Sequence, residues 1–240
     1  MKHPFRSHIL PFFTIGAGAL GFALRLWLFS AIDEKGLLPA KHPAGVLLFI
    51  LSAVVLGVLF LATRQIEPRN INKKGLLYSK LGAYFLGCIG LVCNSLTGIS
   101  GSTSKLAMPA MILGIIGGLT MLCMAVLEFR SKRIPYWLSV IFTVSLMVQT
   151  VAQCQVWGAE PQLQVYFFPL MASVFLILSA YHKTARLARK GKRASLAFFS
   201  QSAAFFCCLS FNSTHGIYYL GMFLWAALQL ASCLPRKKEA

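Results

Sequence analysis

Arg25 is the residue of this sequence with the clearest capacity for chemistry, because it places a permanent positive charge inside an apolar stretch. It lies in GFALRLWLFSAIDEKG, residues 21–36, seven residues before Ile32 at the end of the apolar run. A helical rise of 1.5 Å per residue puts Arg25 roughly 10 Å below that end. A guanidinium at such a depth costs about 2.5–3.5 kcal/mol, so we expect it to have a partner. Asp33 and Glu34 lie about 12 Å or more along the axis, near the limit of reach of an arginine.

Neutral side chains are therefore the expected partners of Arg25. Gln149 and Gln153 lie one helical turn apart in a later apolar stretch, and Asn94 lies near the end of another. Three roles for Arg25 stay open. It is a structural residue held by carbonyls and glutamines, a ligand residue facing a small anionic group from outside, or a residue that snorkels to lipid headgroups. In the ligand role, Gln149, Gln153 and Asn94 orient the bound molecule by hydrogen bonds.

A catalytic alternative consists of Ser100 and His215. Ser100 lies in the G-x-S-G motif of residues 98–101, and His215 begins a later apolar stretch. The pair resembles the serine and histidine of rhomboid intramembrane proteases, and the resemblance implies a serine nucleophile with a histidine base. This chain departs from the rhomboid pattern in two respects. The glycines after His215 are spaced differently, and four helices rather than two come between the two residues.

Small residues in the first apolar stretch indicate helix packing rather than cofactor binding. Gly18, Gly21 and Arg25 recur at spacings of three and four, which places them on one helix face. Small residues let membrane helices approach closely, so we expect this face to pack against protein. The segment GAGALG matches a dinucleotide fingerprint, but that motif requires a preceding strand. His42 and His215 do not have a metal-ligand spacing, and we predict no metal and no cofactor.

The elements that must position these residues are membrane helices. Of the 240 residues, 57% are hydrophobic and 12% charged, whereas soluble domains are about 45–50% apolar and about 25% charged. A membrane-spanning helix needs about 20 mostly apolar residues. The stretches that qualify are Leu10–Ile32, Pro43–Thr63, Leu77–Leu96, Leu106–Phe129, Tyr136–Trp157, Val165–Tyr181, Ser195–Asn212 and Ile217–Leu234. The predicted fold class is an all-α integral membrane protein, a polytopic bundle of eight transmembrane helices without a soluble domain.

The distribution of basic residues predicts the orientation of these helices. The formal net charge is +17, and all but four of the 23 lysines and arginines fall on the side that holds both termini. The exceptions are Arg25 within the membrane, and Lys35, Lys41 and Lys105 on the other side. Basic residues collect on the cytoplasmic side, so we predict cytoplasmic termini in a bacterial cytoplasmic membrane. The same placement argues against nucleic acid as a partner.

Short similarities suggest an internal duplication within one transmembrane domain, residues 1–240. LLFILSA at residues 47–53 is similar to VFLILSA at residues 174–180. Four helices is an even number, so the repeats would run parallel, related by an axis along the membrane normal. The predicted tandem four-helix halves are residues 1–129 and 130–240.

The densest basic segment is HKTARLARKGKR, residues 182–193. Two interpretations of this segment stay open. It determines the topology of the chain, or it binds anionic lipid headgroups, with a binding free energy of roughly 1 kcal/mol for each basic residue near the surface. The residues that would contact headgroups are Arg186, Arg189, Lys190, Lys192 and Arg193.

The sequence favours a small-molecule binding or translocation function over catalysis. It contains no nucleotide loop, metalloprotease motif or paired catalytic carboxylates, and we do not expect an enzyme. Coupled pumps carry buried carboxylates, which this chain lacks at mid-depth, so a facilitator is the predicted type. The alternative is a non-catalytic membrane subunit or assembly factor, with a membrane protein or a second copy of the chain as its partner.

Overall fold

The protein is folded into α-helices throughout the part of the chain that the structure describes. This computed structural model describes residues 9–31, 42–64, 73–97, 106–130, 133–157, 163–211 and 215–233. Within these residues the helices are α1 Ile9–Ser30, α2 Pro43–Arg64, α3 Lys73–Thr97, α4 Ala107–Phe129, α5 Tyr136–Trp157, α6 Leu163–Leu187, α7 Arg193–Leu209 and α8 Gly216–Cys233. Each predicted helix is present. The largest difference is at α6, which ends at Leu187 rather than at Tyr181.

Six of these helices, α1 to α6, are long and apolar enough to cross a membrane. Their outer faces are apolar as well, as on α2, where Val46, Phe49 and Leu61 are each about half exposed or more. Such surfaces suit lipid, because a helix in a bilayer needs no polar face. The chain therefore forms an all-α bundle of the membrane type. The number of spans, eight, stays a prediction.

Helices α3 to α8 pack in a closed cycle, in which each helix contacts the next along the chain and α8 contacts α3. Neighbouring helices run in opposite directions. Lys80 near the start of α3 meets Glu128 at the end of α4, and Thr184 near the end of α6 meets Ser139 at the start of α5. The end of the bundle that holds these two contacts is called the basic end. The opposite end, which holds Asn94 and Gln153, is called the amide end.

Large side chains fill the interior of the cycle. The rings of Phe142 from α5 and Trp225 from α8 meet edge to face, with centroids 5.2 Å apart. Tyr219 of α8 is fully buried and donates a hydrogen bond to the carbonyl of Pro169 in α6 at 3.4 Å. Edge-to-face aromatic pairs stabilise a packed core beyond their buried area. The interior between α5, α6 and α8 is thus closed by aromatic packing.

Helix α7 is the most enclosed element, because α1, α2, α6 and α8 all pack against it. Every residue from Ser200 to Leu209 is buried. The helix has 17 residues, or about 25 Å, which is shorter than the hydrocarbon thickness of about 30 Å. Its C-terminal part, from Ser200 onward, is enclosed by protein, whereas Lys192 and Arg193 at its start are exposed.

Helices α1 and α2 pack against each other and against α7. The close approach of α1 depends on its glycines. A Cβ atom at Gly18 would lie 2.8 Å from the Cβ of Cys208, and one at Gly21 would lie 2.8 Å from Cδ1 of Leu209. The prediction that the glycine face of the first helix packs against protein is confirmed.

The two predicted halves of the chain are packed differently. In the second half, α6 packs against the helices before and after it, α5 and α7. Its counterpart in the first half, α2, packs against α1 before it, but its other neighbour is α7, where a duplication predicts α3. The tandem duplication, with halves 1–129 and 130–240, stays a prediction.

Candidate functional site

Arg25 is buried in the bundle, with 2% of its surface exposed. Its Nη1 donates to the carbonyl of Leu209, the last residue of α7, and its Nη2 donates to the carbonyl of Val165 in α6 at 3.2 Å. The guanidinium carbon also lies 5.2 Å from the ring centroid of Phe29 and 5.8 Å from that of Phe168. These contacts are of the hydrogen-bond and cation–π type and involve neutral groups alone.

Both carbonyls that Arg25 contacts lack a helical partner, for two different reasons. The last carbonyls of any α-helix have no intrahelical donor, and Leu209 ends α7. The carbonyl of Val165 would accept from the amide four residues later, but that residue is Pro169, within α6, which has no N–H. Arg25 thus supplies donors that the backbone does not provide, and its positive charge lies at the negative end of α7.

The contacts of Arg25 differ from the predicted set of glutamine and asparagine partners. Because α1 packs against α7 and α2, its arginine reaches α6 and α7, while the side chains of Asn94, Gln149 and Gln153 belong to α3 and α5. The first of the three roles, a structural residue held by carbonyls and glutamines, is matched in its carbonyls and not in its glutamines, and the ligand role of Arg25 stays a prediction. A sequence clue was Pro169, since a proline inside an apolar helix leaves one carbonyl free.

The structure does bring Asn94, Gln149 and Gln153 together, at the amide end of the bundle. Gln153 Nε2 donates to Asn94 Oδ1 at 3.1 Å, and Asn94 Nδ2 donates to Gln149 Oε1 at 3.4 Å. Gln149 Nε2 donates to Ser95 Oγ at 2.6 Å. We call these four residues the amide network. All four side chains are buried, and each bonds with another member.

The amide network is packed tightly against α4. A Cβ atom at Gly114 would lie 1.8 Å from Ser95 Oγ and 1.9 Å from Gln149 Nε2. A Cβ atom at the neighbouring Gly117 would lie 2.1 Å from Ser145 Oγ. The glycines of α4 thus form a helix-packing surface, since α3 and α5 both approach α4 at these positions.

A second polar cluster lies at the basic end, between α3, α4, α6 and α8. Lys80 Nζ is 2.8 Å from Glu128 Oε1, and Tyr84 OH donates to Glu128 Oε2 at 3.2 Å. Lys183 Nζ donates in turn to Tyr84 OH. With its amide oriented so that the oxygen faces both donors, Gln229 accepts from Lys183 Nζ at 3.2 Å and from Trp225 Nε1 at 3.0 Å. We call this set, Lys80, Tyr84, Glu128, Lys183, Trp225 and Gln229, the ionic network.

Lys183 is the innermost charged residue of the ionic network. It is 6% exposed, and its Nζ lies 4.6 Å from the ring centroid of Tyr84 and 5.3 Å from that of Trp225. Its hydrogen bonds go to the neutral oxygens of Tyr84 and Gln229, and the carboxylate of Glu128, which Tyr84 also contacts, is near enough for its charge to attract the ammonium. Buried ammonium groups inside a membrane bundle are costly and mark functional sites by default.

Sequence reasoning did not identify Lys183, which it grouped with the basic residues of a loop. The reason is the length of α6, which continues to Leu187. Leu176, Ala180 and Lys183 follow each other at spacings of four and three, and the first two are completely buried. This spacing places Lys183 on the buried face of the helix, and it is the pattern by which the residue could have been found.

The ionic network borders a shallow crevice at the surface, which encloses no space for a water-sized molecule. Its lining combines apolar and charged side chains: Lys80, Leu81, Tyr84, Ala125, Glu128 and Phe129. About one quarter of the Glu128 side chain and one eighth of the Lys80 side chain are exposed. The network therefore extends from this partly exposed ion pair to the buried ammonium of Lys183.

The suggested catalytic pair is described in part only, since Ser100 lies outside the described residues. His215 immediately precedes α8 and is partly buried. Burial lowers the pKa of His215, and its Nδ1 is enclosed without a hydrogen-bond partner among the described residues.

The basic residues after α6 lie on a tight turn. The amide of Lys190 donates to the carbonyl of Ala185 at 2.9 Å, and the amide of Arg189 donates to that of Arg186 at 3.0 Å. This is the Schellman arrangement, in which Arg189 occupies the left-handed position with φ of 62°. The side chains that point to the surface are those of Arg189, Lys190, Lys192 and Arg193, while Arg186 is half-buried.

The described residues contain no group of three or more His, Cys, Asp or Glu side chains arranged to hold a metal ion. Comparison of the chain with protein-family models, with curated proteins and with solved structures found no match. The polar clusters themselves are thus the basis for a functional proposal.

Proposed function

We propose that the protein binds a small molecule within the cycle formed by α3 to α8 and lets it pass, as a facilitator does. The observation that carries this proposal is Lys183, a buried ammonium at the basic end whose hydrogen bonds go to the neutral oxygens of Tyr84 and Gln229. A charge in this position opposes the stability of the bundle, since well-packed apolar residues are frequently at least as stable as a buried ionic network. Its presence is explained if the charge is used to bind.

Two polar layers support the proposal of a path rather than a single surface site. The ionic network lies at the basic end and the amide network of Asn94, Ser95, Gln149 and Gln153 at the other, with α3 contributing to both. The side chains of Phe142 and Trp225 fill part of the interior, so passage requires rearrangement of this aromatic layer. In this proposal Arg25 is a positioning residue that ties α1 to α6 and α7.

We also propose that the basic end faces the cytoplasm of a bacterial cell, with eight spans and with both termini on that side. Lysines and arginines collect on the cytoplasmic side of membrane proteins, and the turn after α6 carries several exposed ones. In this orientation Arg186, Arg189, Lys190, Lys192 and Arg193 contact anionic lipid headgroups.

The proposal is tested by thermal unfolding of the purified protein in detergent with a panel of small polar metabolites and ions. The variant is Lys183→Met, which keeps an unbranched side chain, one atom shorter, and removes the charge. The matched control is Lys190→Met, which removes a charge from the exposed turn. We expect at least one compound to raise the unfolding temperature of the wild type and the control and not that of Lys183→Met. A shift that persists in Lys183→Met would contradict the proposed site.

A second candidate function is that of a non-catalytic membrane subunit or assembly factor. The observation that favours it is the self-sufficient packing of the amide network, whose members bond with one another and leave no space at Gly114. In that case no compound shifts the unfolding temperature. A membrane protein partner or a second copy of the chain then co-purifies with the protein from mild detergent at a fixed stoichiometry.

A further inference from the structure

Helices α2 and α6 meet at the amide end of the bundle, whereas at the basic end each of them contacts α7. Near the amide end, the ring of Phe49 in α2 lies 5.1 Å from the ring of Phe167 in α6, measured between centroids. Nearer the basic end, Phe60 of α2 contacts Phe198 of α7 instead, with centroids 5.8 Å apart. The first turns of α7 therefore lie between α2 and α6.

The face of α7 between its two neighbours is partly open. His182 of α6 stacks on Phe199 of α7, with ring centroids 4.7 Å apart. Ser195 precedes Phe198 by three residues and Phe199 by four, which places it on the helix face between these two rings. All three side chains of α7 are half-buried, whereas the helix is buried from Ser200 to its end. We call the open face formed by Ser195, Phe198 and Phe199 the α7 recess.

The α7 recess ends among positive charges at the basic end. Arg64 ends α2, and Lys192 and Arg193 lie at the start of α7, all three of them exposed. Helices α2, α6 and α7 contain no acidic residue. The amide of Leu196 makes the bond to the carbonyl of Lys192, and the side chain of Lys192 does not cap the helix. The amides before Leu196 thus add the positive end of the helix dipole to these charges.

An apolar recess that ends at a group of cations matches a molecule with a negative charge at one end of an apolar chain. Anionic phospholipids have this form, and basic residues at the membrane surface attract them. The recess runs from Arg193 to Phe199, or roughly 9 Å along the helix, which covers the boundary between headgroups and acyl chains. A second copy of the chain fits less well, because two copies in one membrane bring their basic ends to the same level, where like charges repel.

We propose that the α7 recess binds one anionic phospholipid, with an acyl chain against Phe198 and Phe199 and its phosphate among Arg64, Lys192 and Arg193. This inference rests on the part of the proposed function that places the basic residues at lipid headgroups, and it adds one specific site between three named helices. The site is separate from the path proposed within the cycle of α3 to α8.

The test is native mass spectrometry of the purified full-length protein, released from detergent after titration with palmitoyl-oleoyl phosphatidylglycerol or palmitoyl-oleoyl phosphatidylcholine. We expect one phosphatidylglycerol to remain bound per chain at concentrations at which phosphatidylcholine dissociates. Glycerol 3-phosphate is the third probe, because it has the charge of the headgroup and lacks the acyl chains. It should neither remain bound nor displace phosphatidylglycerol.

A charge variant tests the position of the phosphate. The double substitution Lys192→Gln and Arg193→Gln should weaken phosphatidylglycerol binding by at least about tenfold, since each basic residue contributes to the attraction. The matched control is Arg130→Gln with Arg133→Gln, which removes the same charge from exposed residues at the same end, between α4 and α5. The control should bind the lipid as the wild type does.

A bulky side chain tests the position of the acyl chain without a change of charge. Ser195→Trp fills the α7 recess and should also weaken phosphatidylglycerol binding by at least about tenfold. The matched control is Val140→Trp, which adds an indole to a lipid-exposed position in the second turn of α5, at the same end of the bundle. Thermal unfolding of each variant shows that it is folded.

Each outcome supports or overturns the inference. It is wrong if both lipids remain bound equally, if glycerol 3-phosphate displaces the lipid, if a second copy of the chain is retained in place of lipid, or if variants and controls lose lipid alike. The proposed function is tested separately, by Lys183→Met and the metabolite panel. Retention of lipid without any stabilising metabolite overturns the facilitator alone, and the reverse result overturns the lipid site alone.

Discussion

Arg25 and Pro169 are connected through a single carbonyl group. Pro169 has no amide hydrogen to donate to the carbonyl of Val165, and Arg25 Nη2 donates to that carbonyl instead, at 3.2 Å. The arginine and the proline lie on different helices and are far apart in the sequence, yet the missing donor of one is supplied by the other. Pro169 thus leaves free one of the two carbonyls that hold the buried guanidinium of Arg25.

This relationship predicts a coupling free energy between the two positions. Arg25→Met leaves two carbonyls without a donor, and we expect it to lower the free energy of unfolding by about 2–4 kcal/mol. In Pro169→Ala the new amide donates to the carbonyl of Val165, so the same arginine substitution should cost about 1 kcal/mol less. Denaturant unfolding in mixed micelles measures the four free energies. The control is Pro109→Ala, in the first turn of α4, which should show no coupling with Arg25.

The ionic network predicts a different response at two tyrosines of the same helix. Tyr84→Phe removes the hydroxyl that lies between Lys183 and Glu128, and we expect a loss of about 1–3 kcal/mol in unfolding free energy. Tyr78→Phe removes an exposed hydroxyl and should change the free energy by less than about 0.5 kcal/mol. Equal effects in the same unfolding assay would show that the buried hydroxyl has no special role.

The amide network predicts a contrast between two glycines. A methyl group at Gly114 would overlap Ser95 Oγ and Gln149 Nε2, whereas nothing lies within 4 Å of the corresponding position at Gly57 of α2. Gly114→Ala should therefore lower the unfolding free energy by about 1–3 kcal/mol. Gly57→Ala should leave it unchanged or raise it by about 0.5–1 kcal/mol, because alanine favours the helix. Unfolding temperatures that fall equally in both variants would contradict the close approach of α3, α4 and α5.

His215 predicts a pH dependence of stability. Burial lowers the pKa of this histidine in the folded protein, so the unfolded chain, with a pKa of about 6.5, binds its proton first as the pH falls. Stability is then complete above about pH 6.5 and decreases below it, until the folded form is protonated as well. Unfolding temperatures measured at pH 7.5 and pH 5 test this. His215→Gln should reduce the difference between the two, and an unchanged difference would assign the dependence to other groups.

The helices themselves were largely predictable from the sequence, since apolar runs of about 20 residues between polar segments coincide with α1 to α8. Helix faces were predictable where the pattern was local. Gly18 and Gly21 face α7, and Gln149 and Gln153, one turn apart, both bond with Asn94. These cases follow from helical periodicity alone.

The contacts of the two buried cations were not predictable in the same way. The partners of Arg25 are backbone carbonyls from α6 and α7, and no side-chain pattern marks a free carbonyl. Lys183 lies in a segment whose composition is typical of a loop. It is buried because α6 continues six residues beyond Tyr181, where the predicted apolar stretch ends. In both cases the decisive information is how distant helices pack, which the local sequence does not contain.

The burial of Arg25 has a consequence for how the chain is made. Its guanidinium enters the bilayer with the first helix, but the carbonyls of Val165 and Leu209 are synthesised some 140 and 184 residues later. Until α6 and α7 have been made and have packed against α1, the nascent protein carries a charge that lipid does not satisfy. A chain that stops before α7 lacks the carbonyl of Leu209, so a truncated product leaves its buried arginine with one acceptor fewer than the complete protein does.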